Sequence, residues 1–318
     1  MNLTERYNWK GKLKPRGGLG RLESQVSLLV DKGILTSRGI NNYLVVVMAG
    51  DNGISRENIS IYHPMSSADI VEAHLRGEAA PAIFLQRIGK EEILVDVGLF
   101  DQVDCSQVWD YSIRRGTNNF RWEPAMTRVE AVRALEAGAQ VVERLSGLDI
   151  VGLGEIGVGN TVSAAAIAAS VLEVSADMVV DRGSGVDDTV LARRVEIVSE
   201  AISRHQPCKS DVVDILGKVG TFEIAAMTGF IVRAGEKGLP VMLDGYVSSV
   251  AALLASRMGK LDGVVVSHLS RERGHKTVLD ALGLSPLFDF DLNYGEGMGA
   301  ALGLFFCELG FAFLRKII

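Results

Sequence analysis

The segment VGLGEIGVGNT, Val151–Thr161, decides how this chain is read. It carries a complete G-x-G-x-x-G at Gly152, Gly154 and Gly157, a spacing that suggests a bound dinucleotide when it joins a strand to a helix. The context fits, since the apolar LDIVGLG (Leu148–Gly154) runs into it and the small-residue TVSAAAIAASVLEV (Thr161–Val174) follows. Backbone N–H groups at a helix start have no intrahelical partner and favour anions. Gly157 and Gly159 let the main chain approach a phosphate, and Asn160 and Thr161 add side-chain donors. Glu155 is the foreign element. A carboxylate beside a phosphate is repulsive, so it either points away or faces something else, such as a ribose hydroxyl or a cationic ring. Two details weigh against a dinucleotide. The loop lies in mid-chain, and the acidic residue expected about 20 positions on is replaced by the glycine-rich DRGSGVDD (Asp181–Asp188). Asp181 itself falls near that distance, so the objection does not decide the matter.

Outward from the loop, four more apolar runs each break into a polar, glycine-containing turn: YLVVVMAGDNG (Tyr43–Gly53), EILVDVGLF (Glu92–Phe100), GLPVMLDGY (Gly238–Tyr246) and DGVVVSHLS (Asp262–Ser270). They are continuous rather than alternating, as strands buried on both faces of a parallel sheet must be. Helical patterns lie between them. PAMTRVEAVRALEAGAQVVERL (Pro124–Leu145) repeats apolar positions every three or four residues. VDDTVLARRVEIVSEAISRH (Val186–His205) has Asp187 and Asp188 at its start and Arg204-His205 at its end, as the helix dipole favours. Strand, turn, helix, strand is the grammar of a doubly wound α/β fold. Ligands of such sheets bind at the carboxyl ends of strands. There the chain has Asp51-Asn52, Asp96, Glu155, Asp244, and Ser267-His268 with Ser270, which predicts a cleft lined by polar groups. The first thirty-five residues and the last helix do not fit the alternation. We expect a Rossmann-like domain over 36–290 and a small helical domain built from 1–35 with 291–318.

Composition narrows the function. The 318 residues are 47 % hydrophobic and 23 % charged, with net charge −6 and no Lys/Arg stripe, which excludes nucleic acid as an expected partner. The polar, basic start is not a signal peptide. The apolar C-terminal stretch from Gly299 is broken by Glu308 and reads as a buried helix, so no membrane partner is expected. Cys105, Cys208 and Cys307 are scattered and odd in number, which points to a reducing cytoplasm. The five histidines lack zinc-site spacing, so no metal is expected, and His268 and His275 read as hydrogen-bonding residues.

A second glycine-framed carboxylate stands in LNYGEGMGAALG (Leu292–Gly303), where Glu296 lies between Gly295 and Gly297. It reads either as a first-turn glutamate stabilising a helix start or as a general base at the mouth of the cleft.

The ordered motifs resemble the nicotinate-nucleotide:dimethylbenzimidazole phosphoribosyltransferases of cobamide (vitamin B12) lower-ligand assembly. They are KPRGGLGRLE from Lys14, AGDNGIS from Ala49, VDVGL from Val95, GTNNFRWEPAMT from Gly116, GEIGVGNT from Gly154, DRGSGVDD from Asp181, VGTFEIAAMTG from Val219, PVMLDGYVSSVAALLA from Pro240, SHLSRERGH from Ser267 and NYGEGMGAAL from Asn293. The resemblance implies a Rossmann-like sheet, a small helical domain from both chain ends, and a dimer. It implies transfer of phosphoribose from nicotinate mononucleotide to an aromatic acceptor, with loss of nicotinate and inversion at the anomeric carbon, without a cofactor. Carried over residue by residue, Glu296 is the base and Glu155 the carboxylate near ribose and leaving group. Gly157, Gly159, Asn160, Thr161, Asp181, Gly183 and Ser270 bind the nucleotide phosphate and ribose. Ser60, Asp69 and Tyr294 line the acceptor pocket.

Three departures stand out. Asn52 replaces a histidine, Thr221 a glycine, and Asp69 falls at the place of a pocket glutamine. They keep open a phenol- or cresol-using member that forms an O-glycoside as one subunit of a heterodimer with a paralog, rather than a homodimer. A non-catalytic paralog and a nicotinamide-dinucleotide dehydrogenase are the remaining alternatives.

Overall fold

The computed structural model describes residues 18–31, 33, 39–62, 66–103 and 106–317. Each of the five apolar runs contains a strand: β1 (Tyr43–Gly50), β2 (Glu92–Gly98), β4 (Ile150–Ile156), β5 (Val241–Leu243) and β6 (Val264–His268). Two three-residue strands, β3 (Val108–Asp110) and β7 (Pro286–Phe288), complete a seven-stranded sheet ordered β3-β2-β1-β4-β5-β6-β7. Every pairing is parallel. The direction of winding reverses between β1 and β4, and at such a switch point adjacent loops part to open a crevice.

The continuous apolar runs are explained by burial on both sides. Along β1, Val46 and Met48 join the core on one face, while Val45, Val47 and Ala49 join the core on the other. The first face is covered chiefly by α4 (Arg128–Arg144), α5 (Asn160–Leu172), α9 (Phe222–Glu236) and α10 (Tyr246–Met258), with α6 (Ala176–Val179), α7 (Asp188–His205), α8 (Val212–Val219) and α11 (Arg273–Leu282) around them. The second is covered by α12 (Met298–Ile317), with α1 (Gly20–Asp31), α2 (Ser67–Leu75) and α3 (Ala80–Arg87). Helix α12 lies along β4, β5 and β6 and packs against α1, where Gly310 abuts Leu22 and Val26. Most of the first thirty-five residues, and Cys105, lie outside the described residues.

Helix boundaries follow local chemistry. Helix α7 begins after Asp187, whose side chain accepts the Val190 N–H, and ends in Arg204 and His205. Helix α4 starts at Arg128 rather than near Pro124, because Thr127 and Glu130 close a reciprocal capping box there. No helix among the described residues is long and apolar enough to cross a membrane.

Candidate active site

The three fingerprint glycines serve three different contacts. Gly152 and Gly154 lie within β4. A Cβ on Gly152 would meet Leu304 and Val45 at 3.0 Å, and one on Gly154 would stand 2.5 Å from the backbone of Gly297. Gly154 therefore admits the GEGMG turn against the strand, which brings the two glycine-framed glutamates together. A Cβ on Gly157 would fall 2.3 Å from the Glu223 carboxylate. Gly159, at φ 90°, is the N-cap of α5 and makes no side-chain cap bond, leaving the first turn suited to an anion.

One cleft, of about 820 Å³ including its open mouth, runs along the carboxyl ends of β4, β5 and β6. Its lining includes Glu155, Gly157, Gly159, Asn160, Thr161, Gly183, Ser270, Glu296, Ser60 and Tyr294. Two sequence-predicted site residues lie elsewhere. Asp181 is not in the lining; its Oδ2 accepts the Arg273 N–H at 2.8 Å, at the start of α11. Asp69 stands at an outer groove shared with Tyr62, Tyr294 and Glu296, and its Oδ2 accepts the Ser66 N–H at 2.8 Å in the capping box of α2. Of the strand-end acids, Asp51 and Asp96 do not line the cleft. Asp51 accepts the N–H groups of Ser67 and Phe100, and Asp96 those of Gly98 and Leu99, so both hold turns.

Several cleft residues escaped the sequence reading. The Arg194 guanidinium, only 2 % exposed, donates to the carbonyls of Ile59 and Asp181 and reaches the space beside Gly183 and Thr161. It puts a fixed positive charge at the end of the cleft where the α5 N-terminus points. Burial lowers its pKa, a shift opposed by Glu272 and Asp181. Glu272 is buried. Burial, then Asp181, pushes its pKa to about 7, against Arg194 and weaker effects of Asn293 and the Gly183 amide.

Glu155 accepts a hydrogen bond from Asn160 Nδ2. Its pKa is raised well above the carboxylate range, first by burial, then by Asp244, Glu223 and Glu296. Asp244 is buried and accepts the N–H groups of Gly297 and Ala300 at 3.0 and 3.1 Å, which pins the GEGMG turn to the sheet. Glu296 itself has φ 58°, between Gly295 at 80° and Gly297 at 84°. A left-handed non-glycine residue costs on the order of 1 kcal/mol or more, so tertiary contacts must hold it. His74 Nε2 lies 2.9 Å from Glu296 Oε2, and His74 Nδ1 lies 3.0 Å from Glu92 Oε1.

Behind the loop, Glu223 is fully buried and accepts from Asn52 Nδ2 at 2.9 Å, and burial pushes its pKa up to about 8. His275 accepts the Ser270 N–H at Nδ1 and meets the Ser249 hydroxyl at Nε2. Burial, with His268 adding to it, takes its pKa to about 3, so it is a neutral hydrogen-bonding residue.

A parallel sheet with an anion-ready helix start, a buried arginine and two converging carboxylates at its carboxyl edge defines a Rossmann-like, nucleotide-handling α/β protein. The chain belongs to a phosphoribosyltransferase family: the family model described as "Phosphoribosyltransferase" matches residues 3–318. It is 35 % identical over 308 residues to the nicotinate-nucleotide–dimethylbenzimidazole phosphoribosyltransferase of Acetivibrio thermocellus, covering 96 % of this chain and 88 % of that one. It is 36 % identical over 300 residues to the enzyme of the same name from Roseiflexus castenholzii, covering 93 % and 85 %. The crystal structure of CobT from Thermus thermophilus superposes with a TM-score of 0.90 at 34 % identity, covering 98 % of this chain and 95 % of that one.

Proposed function

We propose that this chain transfers phosphoribose from nicotinate mononucleotide to an aromatic base of benzimidazole type, giving an α-ribotide and nicotinate for cobamide nucleotide-loop assembly. The convergence of Glu155, Glu296, the α5 N-terminus and Arg194 in one cleft is the observation that carries this reading. The phosphate lies against Gly157, Gly159, Asn160, Thr161, Gly183 and Ser270, with Arg194 offsetting its charge. Each hydrogen bond to a charged phosphate contributes on the order of 1.5–3 kcal/mol. Asp181 acts indirectly, through the start of α11. Glu155 faces the sugar and the pyridinium, whose positive charge favours its ionised form. The acceptor enters past Tyr62, Tyr294, Ser60 and Asp69 and attacks the anomeric carbon. The bond to the pyridinium nitrogen breaks, and its electron pair leaves with nicotinate. Glu296 takes the acceptor's N–H proton. No metal is needed, because a pyridinium is already a good leaving group.

The departures that favoured a phenol have structural duties. Asp69 caps α2, Thr221 caps α9 by accepting the Ile224 N–H at 3.2 Å, and Asn52 binds Glu223. The benzimidazole reading is therefore preferred. Incubation with nicotinate mononucleotide and a panel of benzimidazoles, purines and phenols, followed by mass spectrometry, is expected to give ribotides of the azoles. O-glycosides alone would transfer the reading to the phenol-using type, and sizing the chain alone and with a paralog would separate homodimer from heterodimer. Binding without turnover on any acceptor would indicate a non-catalytic paralog. NAD binding in place of the mononucleotide would restore the dehydrogenase reading.

A further inference from the structure

Glu296 reaches the cleft; His74 does not. The imidazole sits in the last turn of α2 with no exposed side-chain surface, and it lines a separate groove beside Lys90, Glu91 and Glu92. Its Nδ1 faces both oxygens of Glu92, at 3.0 and 3.1 Å, and its Nε2 faces Glu296 Oε2 at 2.9 Å. Ionised carboxylates only accept hydrogen bonds, and a neutral imidazole has one N–H and one lone pair. A ring with a carboxylate at each nitrogen is satisfied only when both nitrogens are protonated. Both carboxylates are themselves largely shielded, with 13 % side-chain exposure each, so water screens these contacts weakly.

We propose that His74, held by Glu92, is a positioning residue for Glu296: an imidazolium that grips Oε2 and so fixes the direction of the carboxylate that takes the acceptor's proton. This rests on the proposed phosphoribosyl transfer. In that step the acceptor N–H bond breaks and an O–H bond forms on Glu296. The freed electron pair stays in the acceptor ring, and His74 keeps both of its protons. Two restraints then act on one residue, Asp244 through the turn backbone and His74 through the side chain. His74 also offsets negative charge where Glu155 stands close to Glu296. Despite its burial, the hydrogen bonds it donates to Glu296 and Glu92 raise the His74 pKa to about 9. Glu92 and Glu296 face the ring directly, and Lys90 and Glu91 line the same groove as His74. Tyr62 and Tyr294 face Glu296 from the cleft side, and both have pKa values raised by burial and then by Glu296.

The test compares wild type, His74→Gln and Glu92→Gln in full-length protein, measuring kcat and KM for nicotinate mononucleotide and 5,6-dimethylbenzimidazole from pH 6 to 10. His74→Gln, which keeps a donor but no charge, is expected to lower kcat roughly 10-fold or more with little change in KM for the nucleotide. It should also abolish an alkaline fall in kcat centred near pH 9. Glu92→Gln should shift that fall to lower pH. Wild-type kcat with the alkaline limb retained in His74→Gln would overturn the proposal. Should His74→Gln fail to fold, Glu92→Gln and nuclear magnetic resonance of the ring nitrogens decide. Wild-type His74 should carry both protons above pH 8, and Glu296→Gln should lower that titration. A singly protonated ring at pH 7.5 would overturn the proposal whether or not the chain turns over any acceptor, which keeps its failure separate from failure of the proposed reaction.

Discussion

Glu155 and Glu296 look alike in sequence, each a glutamate between glycines before a helix, yet their surroundings are opposite. Glu155 is carried by β4, buried, bonded to the neutral amide of Asn160, and ringed by Asp244, Glu223 and Glu296. Its surroundings favour a proton on it. Glu296 is carried by a left-handed turn and meets an imidazole with a raised pKa. A framed carboxylate thus has no fixed character of its own. Burial and the charged groups around it, rather than the glycine frame, set what it does.

The sharpest way to break the comparison is Glu296→Gln. Removing a general base is expected to cost roughly 10²–10⁴-fold in turnover, with folding intact by circular dichroism. Near wild-type turnover would remove Glu296 from the role of base.

Next is Glu155→Gln, an imitation of the protonated acid. We expect a drop of roughly 10-fold in turnover, from lost stabilisation of the sugar's positive charge, together with greater stability above pH 7. The stability part follows from linkage. Glu223, near 8, and Glu272, near 7, hold protons in the fold that they lose near 4.5 when unfolded. His74, near 9, does the same above its ordinary 6.5. Each contributes stability that is fully present below the unfolded value and is lost as pH rises through the folded one. His275, near 3, acts oppositely, contributing above 6.5 and losing its contribution as pH falls toward 3. The melting temperature should therefore fall between about pH 4.5 and 9, less steeply below 6.5 where the His275 contribution is still growing, and Glu155→Gln should flatten that fall. An unchanged slope would show that Glu155 is not held protonated.

The smallest expected effect is steric. Gly154→Ala places a methyl 2.5 Å from the Gly297 backbone and must push the two carboxylates apart. Overpacking of this kind costs about 1–3 kcal/mol, to be read in urea unfolding, with a modest loss of turnover. No loss in either would mean that the turn yields freely.

Much of the sheet was legible because burial on both faces leaves a continuous apolar signature, and each of the five runs holds a strand. Strands β3 and β7 escaped because three residues at a sheet edge carry no period. The glycine loop that lines the cleft was legible because its glycines, Asn160 and Thr161 are neighbours in the chain. His74 was not. It lies 18 residues from Glu92 and 222 from Glu296. One local signal existed: His74 falls three residues after the buried Val71 and four after Ile70, on the apolar side of a short helix, where a polar ring needs buried partners. Arg194 showed itself only as one of a basic pair in α7, and nothing in the chain's order tells which arginine turns inward.

By itself the sequence determined the parallel α/β architecture, the ends of α7 and the family, since these depend on local periodicity, capping chemistry and ordered motifs. Only the tertiary structure decided the state of the two glutamates. Charge interactions act through space, and the residues that set them arrive from α2, β2, α5, α9 and the end of β5, far apart along the chain. It also gave Gly154 its role: the close approach it permits is to a turn 143 positions away by number, from 154 to 297.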